Sequence, residues 1–177
     1  MIMFKRGVSP VIATVLLIVI TLVAIGILAA FVVPFVKKGL GNQDCFNVLG
    51  HLKFEDSSYI CYVEGTPGRT GFSVRVDDPS IVGFKAVFYS KGNSEPAQII
   101  NATDGTTLNP EIRMLGNSTT LVIPQNGGVR TYVAHGVYEK LELYPVLVSG
   151  TTCDQSDSIK QINKCLSPEI ISALQGA

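Results

Sequence analysis

The pattern of apolar and polar positions divides the chain in two. From Val8 to Val36 run 29 residues without a charged side chain, 19 of them Val, Ile, Leu or Phe. As a helix rising 1.5 Å per residue they would reach roughly 43 Å, whereas about 20 residues cross a hydrocarbon core of about 30 Å. Each of the large apolar residues favours insertion by a few tenths of a kcal/mol, so this helix is expected in lipid or in an equally apolar environment. A buried helix of a soluble core is the alternative. Pro10 lies near the helix start, where a missing N–H costs little, and Pro34 is expected to bend or end it. Lys37-Lys38-Gly39-Leu40-Gly41 reads as an interfacial stop and a flexible hinge.

After residue 41 the period changes from helical to two. Phe72, Val74 and Val76 alternate with Ser73, Arg75 and Asp77; Phe84, Ala86 and Phe88 alternate with Lys85, Val87 and Tyr89; Leu141 and Leu143 flank Glu142. This is the signature of half-buried strands. Further strands are expected over 48–54, 58–64, 97–101, 118–124, 128–134 and 140–148. Between them lies turn material such as Thr66-Pro67-Gly68, Lys91-Gly92-Asn93, Asp104-Gly105 and Asn126-Gly127-Gly128. Eight or so short strands point to an antiparallel sandwich, immunoglobulin-like in kind. Ser167-Pro168 followed by Glu169 to Gln175 reads as a capped amphipathic helix covering a sheet face or edge. The fold class is therefore α+β: a long hydrophobic helix, then an all-β head.

Composition adds the compartment. Fourteen Lys and Arg balance fourteen Asp and Glu, so no basic excess suggests nucleic acid. The balance hides an asymmetry: residues 1–40 hold Lys5, Arg6, Lys37 and Lys38 and no acid, leaving ten bases against fourteen acids, a net of −4, in residues 41–177. Two basic residues on each side of the apolar span leave its orientation open. All four cysteines, Cys45, Cys61, Cys153 and Cys165, fall in the acidic part. An even number beyond an export segment suggests two disulfides in an oxidising compartment. The local pairing Cys45–Cys61 with Cys153–Cys165 is preferred over the two other pairings. Zinc binding is disfavoured, because no Cys-x-x-Cys pair exists.

The apolar stretch admits three fates. Cleavage by an ordinary signal peptidase at Ala24-Ile25-Gly26 would leave Ile27 to Val36 exposed on a soluble domain, a poor physical outcome. An uncleaved anchor needs no special residues. The third fate follows from Lys5-Arg6-Gly7 and Val8-Ser-Pro-Val-Ile-Ala-Thr-Val-Leu-Leu-Ile-Val-Ile-Thr, which resembles the type III signal of archaeal type IV pilins.

That resemblance implies cleavage between Gly7 and Val8 by a membrane prepilin peptidase, with the hydrophobic helix retained. The domains would be a signal peptide at 1–7, a membrane and filament-core helix with its hinge at 8–40, and an extracellular β-sandwich head at 41–177. It implies assembly by a secretion ATPase and a membrane platform protein into a helical homo-oligomer, the precursor residing in membrane lipid and the filament at the cell surface, with adhesion as the role. Bacterial type IV pilins usually carry Glu five residues into the mature chain; counted from Val8 that position is Ile12, a departure that favours the archaeal branch. Helices already in lipid gain no hydrophobic energy from one another, so small side chains that allow close packing must contribute. Ser9, Pro10, Ala13, Thr14, Thr21, Ala24, Gly26, Ala29 and Ala30 are the candidates for helix packing.

Two acceptor tripeptides for N-glycosylation begin at Asn101 and Asn117. His51 and His135 stand apart from any nucleophile motif, and Asp77-Asp78 reads as a turn. Asp154 and Asp157 lack the ligand count of a calcium loop. With no phosphate loop, no Gly-x-Ser-x-Gly and no His-Glu-x-x-His, neither an enzyme nor a cofactor is expected. The rivals to a pilus subunit are a single-pass surface protein whose head binds a partner without polymerising, and an archaellin of a rotary filament.

Overall fold

A computed structural model describes residues 10–41, 43–55, 57–116 and 118–177. The chain falls into two compact units, residues 1–43 and 44–177. The first contains helix α1 (Pro10–Gly41), of 32 residues. Its apolar side chains lie all round rather than along one stripe, so no side is suited to water. The expected end at Pro34 and the hinge over 37–41 do not occur, for α1 continues to Gly41. A proline removes one N–H from the ladder, a loss that membrane helices tolerate.

The head is built on two main sheets. One runs in the order β12 (Asn163–Lys164), β2 (Cys61–Val63), β3 (Arg69–Val76), β9 (Val129–His135), β7 (Ile112–Met114), with β1 (Leu52–Phe54) also paired to β3. β1 and β2 follow one another along the same side of β3: Leu52 faces Val76 and Tyr62 faces Thr70, with a 3-10 turn at Ser57–Tyr59 between them. The other sheet runs β11 (Asp157–Ile159), β10 (Lys140–Leu147), β4 (Ile81–Ser90), β5 (Asn93–Ile100). A small ladder joins β6 (Thr103–Asp104) to β8 (Thr120–Leu121). All named pairs are antiparallel except β2 with β12, where Asn163 faces Cys61. That pair departs from the expected all-antiparallel arrangement.

The alternating residues meet between the sheets. Phe72, Val74, Phe84, Ala86, Phe88, Leu141 and Leu143 are completely buried. An aromatic chain crosses the core: Tyr138 lies 4.9 Å from Phe88, Phe88 5.5 Å from Phe72, Phe72 5.4 Å from Tyr132 and Tyr132 5.5 Å from Phe84. Such ring pairs contribute about 0.5–1.5 kcal/mol each beyond the area they bury. The two phenols keep a polar outlet, Tyr132 donating to Val122 O and Tyr138 to Glu95, both at 2.7 Å. Between β4 and β5, Lys91 and Gly92 both take positive φ (48° and 83°), as a two-residue hairpin turn requires.

The strand expected from residue 48 begins only at Leu52, and that expected over 118–124 shrinks to β8. β6, β7, β11 and β12 escape prediction because two or three residues are too few to show a period of two.

The C-terminal helix α3 (Pro168–Gln175) covers the outer face of β2 and β3, burying Leu174 against Cys61, Val63, Val133 and Cys165. Ser167 precedes it without a side-chain capping bond, contrary to the expected cap. The last turn is tied instead by Arg69, which donates to Leu174 O at 2.9 Å and to Gln175 O. Gly71 permits this docking: a Cβ there would lie 2.5 Å from Tyr59 O and 2.8 Å from Leu174 Cδ2.

The disulfides are Cys45–Cys153 and Cys61–Cys165, with Cα separations of 5.3 and 5.0 Å. This corrects the local pairing preferred from sequence. Cys45 on α2 (Gln43–Asn47) packs with Cys153 in the main core, whereas Cys61 and Cys165 pack under α3, so neighbours in sequence belong to different clusters. Each bond closes a loop of about a hundred residues, worth roughly 4–5 kcal/mol in the chain-entropy model. The loops interleave, so their contributions do not simply add.

Non-reducing peptide maps should contain a 45–153 and a 61–165 cross-linked pair and lack a 45–61 pair. Leu174→Ala should cost about 2–5 kcal/mol in denaturant unfolding of the oxidised protein, and Gly71→Ala should likewise destabilise by displacing α3.

Candidate functional site: an unpartnered apolar helix and a braced head

Lys5, Arg6, Gly7, Val8 and Ser9 lie outside the described residues, as does Asn117. The other predicted helix-packing residues, Pro10, Ala13, Thr14, Thr21, Ala24, Gly26, Ala29 and Ala30, all fall on α1. From Ile12 to Val33 the helix spans 22 residues, reaches a mean hydropathy of 3.2 in an 18-residue stretch, and is long and apolar enough to cross a membrane. Its fifteen large apolar side chains from Ile12 to Val33 are between 49% and 75% exposed. Nothing approaches within 4 Å of a Cβ built on Gly26. Thr21 conceals its hydroxyl by donating to Ile18 O at 2.8 Å, which keeps that side of the helix compatible with lipid.

At about 100° per residue, Ala13, Thr14, Thr21 and Ala24 share one side of the helix, while Gly26, Ala29 and Ala30 share the opposite side. Small side chains therefore face one way in the first half of the span and the other way in the second. Such an arrangement lets other helices approach closely on two sides at different heights.

Asp77, Asp78 and Asp157 are engaged within the fold, while Asp154 is exposed. Asp78 accepts from the Ser80 backbone N–H at 2.8 Å and from its hydroxyl at 2.5 Å, and Asp77 pairs with Arg75 at 2.8 Å. Asp157 accepts from the backbone N–H groups of Phe54 at 2.9 Å and Ser158 at 2.7 Å, joining the edges of the two sheets rather than presenting oxygens to a cation. His51 is exposed and His135 stands 3.3 Å from Glu111. The four cysteine sulfurs are consumed in disulfides. Among the described residues no cluster of His, Cys, Asp or Glu is placed to hold a metal ion.

One polar cluster was not legible beforehand. Glu142, only 7% exposed, lies on the outer face of β10 and accepts from Tyr89 at 2.7 Å, Tyr144 at 2.8 Å and Lys140 at 2.6 Å, while the Lys140 ammonium sits 4.5 Å over the Tyr89 ring. Burial pushes the Glu142 carboxyl up, but the bonds from Lys140, Tyr89 and Tyr144 outweigh it and hold it below its ordinary value. The same bond to Glu142 raises Tyr89 and lifts Tyr144 to about 12. Alternation at Leu141-Glu142-Leu143 signalled an outward side chain; the partners came from β4 and from the next turn of the pleat.

Residues 6–39 match the family model of the archaeal type IV pilin N-terminal region. Curated proteins and solved structures yield no match. The chain is thus an α+β protein that opens on an apolar, membrane-length helix and continues into a disulfide-bonded β head. Its N-terminal segment is similar to that of archaeal type IV pilins.

The Glu142 cluster and the paired aspartates make head stability pH-dependent at both ends. Asp77, Asp78, Asp104 and Glu142 are held below their ordinary values, so the stability they contribute is present above about pH 4 and is lost as acid protonates them. Raised tyrosines act in the opposite sense: the contribution of Tyr144 is complete below about pH 10 and is lost between there and about 12. Thermal unfolding across pH 2–12 should show a plateau falling away on both sides, and Glu142→Gln should cost about 1–3 kcal/mol at neutral pH.

Proposed function

We propose that this protein is a structural subunit of an archaeal type IV pilus-like surface filament, used for adhesion. The observation that carries the reading is the helix Ile12–Val33, apolar on all sides and without a buried residue, in a segment that matches archaeal pilins. As a precursor the chain sits in the membrane by this helix, with its head outside, where the two disulfides form. A prepilin peptidase then cuts between Gly7 and Val8, leaving the helix attached to the head. A secretion ATPase and a platform protein extract the subunit, and the helices of neighbouring copies replace lipid around α1.

The head supports a helix-driven assembly. Its sheet edges are poor templates for strand addition: β5 carries Pro96, which has no N–H to offer, and β7, β11 and β12 are only two or three residues long. Polymerisation then falls to the helix, where the two opposed sets of small residues admit two neighbours. Catalysis has no place in this role; the work is extraction, packing and display.

Intact mass and N-terminal mapping of protein recovered from cells should begin at Val8. A chain beginning at Met1 would favour a plain anchored surface protein, and one beginning at Ile27 would remove the filament reading altogether. Gly7→Val should leave unprocessed precursor in the membrane fraction. Ala24→Phe or Ala29→Phe should preserve processing and head disulfides but abolish sheared filaments seen by electron microscopy.

A further inference from the structure

We infer that Asn101 carries an N-linked glycan whose first sugar is seated in a pocket of the head beside it. The Asn101-Ala102-Thr103 tripeptide forms the tight connection from β5 to β6, with Asn101 and Ala102 exposed and Ala102 at a positive φ of 64°. The asparagine amide is oriented by the fold: its Oδ1 accepts from Ile123 N–H at 3.1 Å. Only the oxygen can accept that bond, so the Nδ2 end of the planar group is the end left for reaction. Thr103, the third residue of the acceptor, is fixed as well, its hydroxyl accepting from Ile100 N–H at 3.1 Å.

Asn101 is itself part of the wall of a pocket of about 210 Å³. The floor is apolar, made by Ile81, Ile123 and Pro124, and the rim is polar, with Asp78, Gln125 and Asn126. A pyranose has the matching chemistry: a C–H face for the floor and hydroxyl groups for the rim. The pocket lies below the size range of drug-sized ligand sites and suits a single ring. Val82 in its wall and Ile100 next to Asn101 stay 38% and 45% exposed, apolar surface that an attached sugar would cover. The pocket and its acceptor are thus built from the same few residues.

The inference rests on the head being exported, because the donor is a lipid-linked sugar phosphate and the transferase acts on the outer side of the membrane. Nδ2 forms a bond to the anomeric carbon, and the bond from that carbon to the phosphate oxygen breaks. The phosphate leaves with the electron pair, and one Nδ2 proton passes to a base. No oxidant or reductant is involved.

Glycopeptide mass mapping of the full chain from its archaeal host, without reduction, tests the attachment. The peptide containing Asn101 should carry a hexose- or hexosamine-type increment, lost in Asn101→Asp, which keeps the oxygen that accepts from Ile123, and retained in Thr103→Ser, which keeps the hydroxyl. Bare Asn101 overturns the inference; disulfides formed in the same sample would show that export stands while glycosylation fails, whereas free thiols would mean that export fails too. The seat is tested by hydrogen exchange of the glycosylated protein against Asn101→Asp. Amides of residues 125–127 should exchange several-fold more slowly with the sugar present, and unchanged exchange on a glycosylated chain would overturn the seat.

Discussion

The constraint on which the molecule depends is that α1 cannot remain in water. Burying a large aliphatic or aromatic side chain is worth about 1.5–3 kcal/mol, and fifteen of them on this helix stand half or more exposed. Leaving them hydrated costs on the order of 10–30 kcal/mol, more than the 5–15 kcal/mol by which a typical domain is stable. Among the described residues nothing within this unit covers them. Lipid or another apolar surface must do so; in the proposed filament that surface is supplied by other copies of the helix.

Exchange of lipid for protein yields no hydrophobic gain, since hydrocarbon surrounds the helix before and after. The proposed assembly therefore draws on close packing, for which the small residues on opposite sides of the two half-spans provide room. The head meets a different demand. It has to stay folded around one aromatic chain between two sheets. The two long-range disulfides answer this by tying α2 to the segment after β10 and β2 to the residue that follows β12.

The head also shows how polar groups are used to brace rather than to react. Glu142 draws three donors to the outer face of β10, Asp157 and Ser156 bridge from the second sheet to the backbone of β1, and Arg69 closes the end of α3. Each would be a candidate ligand or catalyst if judged by residue type alone. Geometry assigns them to structure, because their atoms are already engaged with neighbours.

The sequence by itself determined the division into helix and β head, the inward set Phe72, Val74, Phe84, Phe88, Leu141 and Leu143, and the hairpin turn at Lys91-Gly92. It also determined the likeness of the first segment to archaeal pilins. These are local properties, carried by periods of two, by an unbroken apolar run and by residues adjacent in the chain. Only the tertiary structure decided which cysteines meet, that β12 runs parallel to β2, that α1 passes through Pro34 and that Asn101 stands at a pocket. The first two depend on residues about a hundred positions apart being brought to one place, the pocket on segments before and after Asn101 meeting, and the run through Pro34 on a helix that tolerates the loss of one N–H; none of these leaves a periodic trace in the chain.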